Sequence, residues 1–207
     1  MGLIGSFRKV SQGFARFCEG LAGCTPSVPV AWSPMTEDAT TKHRILFACL
    51  GNICRSPMAE GVFRCVAENA GQLDLFEIDS AGMGDWHKGE APDQRAQKAA
   101  LARGADISGQ SARKVELEDF EAFDLILAMD GSNIADMYEI APMDARHKIR
   151  RFLDYAPQLG EEDVPDPYYG GAVGFDHALD LIEAAAKGLL AELARERQVG
   201  EKEAENR

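Results

Sequence analysis

The apolar positions change their period along the chain, and each period predicts an element. Ile45, Leu46, Phe47 and Ala48 form an unbroken apolar run, which predicts a strand. Residues 57 to 70 carry Met58, Val62, Phe63 and Val66 at helical spacing. Phe76 to Ser80 reads as a second strand, and Gln94 to Arg103 as a helix that Gly104 stops. Phe123 to Met129 is almost continuously apolar, as a strand covered on both faces must be. Asp130, Ser132 and Asn133 then open a helix, and Ile149 to Phe152 supplies a short fourth strand. Residues 173 to 197 place Phe175, Leu179, Ile182, Ala186, Leu189 and Leu193 on one stripe of a long last helix. The alternation predicts an α/β fold: a small parallel sheet of about four strands with helices on both faces and a ligand at the strands' carboxyl ends.

Length and composition narrow this picture. The 207 residues suffice for one α/β domain with a sizeable core. The expected boundaries are an extension over residues 1–42, a folded domain over 43–197 and a charged, frayed tail over 198–207. In the extension, Phe7, Val10, Phe14 and Phe17 recur at helical spacing beside Arg8, Lys9 and Arg16, ahead of Pro26, Pro29 and Pro34. This pattern fits a membrane-surface or organelle-targeting helix, and equally a disordered extension. The net charge of −12 and pI near 4.8 exclude a nucleic-acid partner and require only a local basic pocket. No apolar run reaches the ~18 residues of a membrane span. Five cysteines, odd in number and without CxxC spacing, predict a reducing, cytoplasmic compartment rather than a disulfide framework. Oligomeric state is left open.

The chemistry concentrates where the first strand meets the first helix, in Cys49-Leu50-Gly51-Asn52-Ile53-Cys54-Arg55-Ser56-Pro57. Such a loop wraps its N–H groups around an oxyanion and adds the positive end of the helix dipole. Gly51 and Asn52 suit the φ > 0 turns of a concave loop, Ser56 an N-cap and Pro57 the first helical position. Cys49 is then the nucleophile, its thiolate favoured by the N–H donors, the dipole and Arg55. The Arg55 fork suits two oxygens of a transferring phosphoryl group.

A thiolate that cleaves a phosphate ester needs a proton for the departing oxygen. Asp166, in Val164-Pro165-Asp166-Pro167-Tyr168-Tyr169-Gly170, is the candidate acid, its loop stiffened by proline and desolvated by aromatics. Trp86, Tyr168 and Tyr169 are expected to line the mouth around an aromatic substrate. Cys49 and Cys54 lack a second pair for a structural metal, and no cofactor is expected. His43, His87, His147 and His177 read as surface or packing residues.

These residues resemble the low-molecular-weight protein tyrosine phosphatase family. The likeness runs through Cys49 to Pro57, Ser80-Ala81-Gly82 with Gly84-Asp85-Trp86-His87, Phe123 to Asp130, and Asp166 to Gly170, spanning about residues 43 to 195. It implies a cofactor-free phosphatase acting on a phosphotyrosine protein or aryl phosphate through a phosphocysteine. Ser56 would ease sulfur departure, Asn52 brace the loop, and Asp130 order groups at a strand end. It also implies that Cys54 traps Cys49 in a reversible disulfide and that Tyr168 and Tyr169 accept phosphate in some relatives. Gln110 stands where many relatives carry a histidine beside the bracing asparagine. Two competing activities on this fold are arsenate reductase, which needs cysteines beyond Cys65, and protein-arginine phosphatase, which favours a small polar residue at Ile53. A non-catalytic phosphopeptide-binding module would be expected to lack Cys49 or Asp166.

Overall fold

The computed structural model describes residues 42–206. The amphipathic or targeting reading of the preceding extension, with Cys18 and Cys24, lies outside the described residues. Strand β1 (His43–Cys49) lies in the middle of the sheet, paired in parallel with β2 (Phe76–Gly82) on one side and β3 (Leu125–Ala128) on the other. Strand β4 (Ile149–Arg151) follows β3, giving the order β2-β1-β3-β4 with every pairing parallel. Register sets Cys49 opposite Gly82 at the carboxyl end.

The two faces of β1 explain the two helical layers. Ile45 and Phe47 point into a core shared with α1 (Arg55–Asn69), α2 (Gln94–Ala102) and α5 (Gly171–Glu205). Leu46 and Ala48 point the other way, into a core with Phe120 of α3 (Leu117–Ala122) and Met137 of α4 (Gly131–Ile140). Phe47 is fully buried, its ring centroid 5.8 Å from that of Phe63 and 5.1 Å from that of Phe152. Burial of one such ring contributes roughly 1.5–3 kcal/mol, which is why continuous apolar runs end up as doubly covered strands.

Two expectations need correction, and one helix is additional to those expected. Helix α1 begins at Arg55 with Cys54 as N-cap, so Ser56 and Pro57 lie inside its first turn. Ser56 caps nothing because its hydroxyl is committed to the loop described below, while Pro57 still falls where an N–H has no helical partner. Residues 198–205, expected as a frayed tail, continue α5 to Glu205, since Glu, Lys and Ala propagate a helix even when no face is buried. Helix α3 was not anticipated; it has six residues and is started by a reciprocal capping box between Glu116 and Asp119. Among the described residues, no helix is long and apolar enough to cross a membrane.

Candidate active site

Beyond its carboxyl end β1 leads to α1 on one face, and neighbouring β3 leads to α4 on the other. The crevice this opens holds the loop that follows Cys49. Asn52 is the one non-glycine residue with positive φ among those described, at 53°. Gly51, expected to share that role, does not; a Cβ there would sit 3.3 Å from His87 Cδ2. Gly82 is needed for close approach, because a Cβ would lie 2.9 Å from the Asn52 nitrogen.

That fold of the chain aims donors at sulfur. The Asn52 N–H points to Cys49 Sγ at 3.3 Å, and Ser56 Oγ lies 3.1 Å from the same atom. Asn52 Nδ2 donates to Ser56 Oγ and to Ser80 Oγ, each at 3.0 Å, while its Oδ1 accepts the Arg113 N–H at 2.8 Å. Since Ser80 accepts from Asn52, its own proton goes to Glu60 Oε2 at 2.7 Å. Arg64 Nε closes the chain on Glu60 at 3.1 Å. Burial pushes the Glu60 carboxyl above its ordinary value despite the Ser80 and Arg64 bonds.

Arg55 is buried and bridges the two sides of the crevice. Its Nη1 donates to Asp130 and, at 3.2 Å, to the Val164 carbonyl; Nη2 donates to Asp166 at 2.9 Å. Burial opposes the guanidinium charge, but Cys49, Asp130 and Asp166 together hold it above the ordinary arginine value. Burial likewise pushes Asp130 up, yet the Asn133 N–H, Arg55 and Ser132 outweigh it and bring its carboxyl down. Asp130 also caps α4, accepting the Asn133 N–H at 2.7 Å. Asp166 is not desolvated as expected; it is exposed and held by Arg55 and by the Tyr168 N–H at 3.0 Å.

Above the sulfur is a cleft of about 250 Å³ lined by Cys49, Leu50, Gly51, Ile53, Cys54 and Arg55 below, and by Trp86, His87, Asp166, Tyr168 and Tyr169 around the rim. All three expected mouth aromatics are there. Trp86 and Tyr169 are 69% and 95% exposed, and Tyr169 stands edge-on to Tyr168 at 5.0 Å. His87 also lines the cleft, with Nδ1 2.7 Å from Glu90. Gln110 makes no side-chain hydrogen bond to Asn52: its Nε2 donates to the Pro57 carbonyl at 3.2 Å, over the first turn of α1. Cys54 is buried, and that burial, with Asp93, Cys49 and Asp166, pushes its thiol up to about 12.

The residue readings missed Glu60, Arg113 and the Asp93–Arg95 pair. Glu60 alone left a signal, as a carboxylate amid the apolar residues Met58, Ala59, Val62 and Phe63.

Comparison with known proteins agrees with this geometry. The family described as low molecular weight phosphotyrosine protein phosphatase matches residues 44–199. A low molecular weight phosphotyrosine protein phosphatase of Schizosaccharomyces pombe is 45% identical over 146 residues, covering 70% of this chain and 93% of that protein. A low molecular weight protein-tyrosine-phosphatase of Streptomyces coelicolor is 43% identical over 152 residues, covering 72% and 92%. A protein tyrosine phosphatase of Entamoeba histolytica, solved by crystallography, superposes with a TM-score of 0.73 at 36% identity, covering 75% of this chain and 99% of that one. With the family model spanning most of the chain, this protein belongs to the low molecular weight phosphotyrosine protein phosphatases.

Proposed function

We propose that this phosphatase hydrolyses phosphotyrosine in proteins by two displacements at phosphorus, with residues 43–197 as the catalytic unit and the cytoplasm as its compartment. The observation that carries the reading is the Cys49 sulfur in the cleft, held by the Asn52 N–H and Ser56 Oγ, with the paired Arg55 and Asp166 lining the same cleft.

In the first step Cys49 Sγ forms a bond to phosphorus as the bond to the tyrosyl oxygen breaks. Asp166 gives its proton to that oxygen. Before that transfer the incoming phosphoryl oxygens compete for the Arg55 fork, which frees Asp166 from the ion pair that holds it, and the released carboxylate takes up the proton it will donate from the substrate monoanion or from water at the exposed mouth. In the second step water attacks phosphorus, Asp166 takes the proton, and the sulfur leaves as thiolate, stabilised by Ser56 and the Asn52 N–H. Positioning and charge stabilisation supply most of the rate. Leu50, Ile53 and the aromatic rim favour an aryl over an alkyl ester.

The test is hydrolysis of an aryl phosphate, with chelator present, by the wild type, Cys49→Ser and Asp166→Asn, alongside phosphoserine, phosphoarginine and arsenate. An active wild type, an inactive Cys49→Ser and a loss of ~10² or more in Asp166→Asn support the reading. Turnover of arsenate or phosphoarginine without aryl phosphate overturns the substrate class.

A further inference from the structure

The turn that opens α2 fastens the sulfur loop to the acid loop, and one side chain makes the join. The Asp93 N–H donates to the Ile53 carbonyl at 2.8 Å, anchoring that turn to the loop around Cys49. The Asp93 carboxylate accepts the Arg95 backbone N–H at 2.7 Å, capping α2. The same carboxylate holds the Arg95 fork, with Nε 3.0 Å from Oδ1 and Nη2 2.7 Å from Oδ2. The remaining arm, Nη1, donates to the Tyr168 carbonyl at 2.9 Å. The guanidinium carbon stands 5.1 Å from the ring centroids of both Tyr168 and Phe175, so its plane is pinned from the acid loop and from α5. Tyr168 passes the restraint on through the N–H it gives to Asp166 Oδ1.

We propose that Arg95 is a positioning residue for the general acid, setting where Asp166 stands relative to Cys49 by tying Tyr168 to the Asp93 turn. This rests on the reading of Asp166 as the proton donor. The role needs three in-plane donors on one rigid group, which lysine does not provide. Arg95 acts on proton delivery alone, so its loss is felt in proportion to how much the leaving oxygen needs a proton. An arginine that only stabilised the fold would slow every substrate alike.

The experiment measures kcat/KM for aryl phosphates whose leaving phenols run from strongly to weakly acidic, for the wild type, Arg95→Ala, Arg95→Lys, Asp166→Asn and the Arg95→Ala/Asp166→Asn double variant. Arg95→Ala is expected to lose about tenfold on the weakly acidic phenols, a part of the ~10²–10⁴ that a placed acid supplies, and little on the strongly acidic ones. Arg95→Lys follows Arg95→Ala. In the Asp166→Asn background, removal of Arg95 changes nothing further. The ratio between substrates does not depend on the folded fraction, so loss of folded enzyme does not imitate this result. Equal loss across the series, or losses that multiply in the double variant, overturns the role of Arg95. A wild type that cleaves no aryl phosphate, or an Asp166→Asn variant with an unchanged leaving-group dependence, overturns instead the reading of the site on which it rests.

Discussion

Ser56 Oγ lies 3.1 Å from Cys49 Sγ and accepts from Asn52 Nδ2, so its one proton has two acceptors, the Ala81 carbonyl at 3.2 Å and the sulfur, and a charged sulfur draws it away from the carbonyl. A hydrogen bond to a charged sulfur is worth about 1.5–3 kcal/mol, and it matters most when that sulfur is the leaving group. Ser56→Ala is expected to slow phosphoenzyme breakdown by roughly 10- to 10²-fold while sparing phenol release in the first turnover. Stopped-flow recording of p-nitrophenol release should then show a burst equal to the enzyme concentration followed by a slow steady state.

Gly84 makes room for the indole at the mouth. A Cβ there would lie 1.8 Å from Trp86 Cζ3, so Gly84→Ala must swing the ring away. Trp86 is well exposed, so the fold tolerates the move. The expected result is a two- to tenfold rise in KM for aryl phosphates, about the ~0.5–1.5 kcal/mol of an aromatic pair, with kcat little changed.

Gly188 is a different case, because the obstacle is backbone. Its Cβ would fall 1.8 Å from the Tyr155 carbonyl oxygen, which belongs to the 3-10 turn Phe152–Tyr155. Helix α5 would have to move off the sheet to accept it. Gly188→Ala should destabilise by about 3 kcal/mol, seen as a lower urea midpoint.

Cys54 gives the stability an alkaline limit. Its thiol ionises near 9.0 when unfolded but only at about 12 in the fold, because burial and then the charges of Asp93, Cys49 and Asp166 oppose the thiolate. Between those values the folded chain holds the extra proton, so stability falls as pH rises. Tyr155, also pushed up to about 12 by burial, adds to the upper part of the same window. Melting midpoints measured on either side of pH 9.0 should decline in the wild type and less steeply in Cys54→Ala.

The parts of the site that could be read early are those written in consecutive residues. The loop from Cys49 to Ser56 and the Asp166 turn each carry their chemistry within a few positions, so local geometry forces them together. The partners of Asn52 do not: Ser80, Arg113 and, through Ser80, Glu60 arrive from β2, the loop before α3 and α1. Only the pairing of β1 with β2 decides that Ser80 stands under the loop. The inner strands β1 and β3 are plain because double coverage leaves no polar alternation, whereas α3 is short, acidic and shows too little periodicity. The long course of α5 was hidden for the opposite reason: residues 198–205 propagate a helix without any apolar stripe to announce it. Asp166 lines the cleft as expected but is exposed rather than desolvated, because Arg55, six residues after the cysteine, also reaches across to pair with it.

Cys49 ends a strand held by hydrogen-bonded neighbours on both sides, whereas Asp166 is attached through side chains and the single Val164 N–H to Met129 O bond at 2.8 Å. As denaturant is added, the two halves of the machinery therefore part in a fixed order. The Asp166 loop is expected to detach while the sheet is still whole, and the loop around the Cys49 sulfur to give way only when β1 itself lets go.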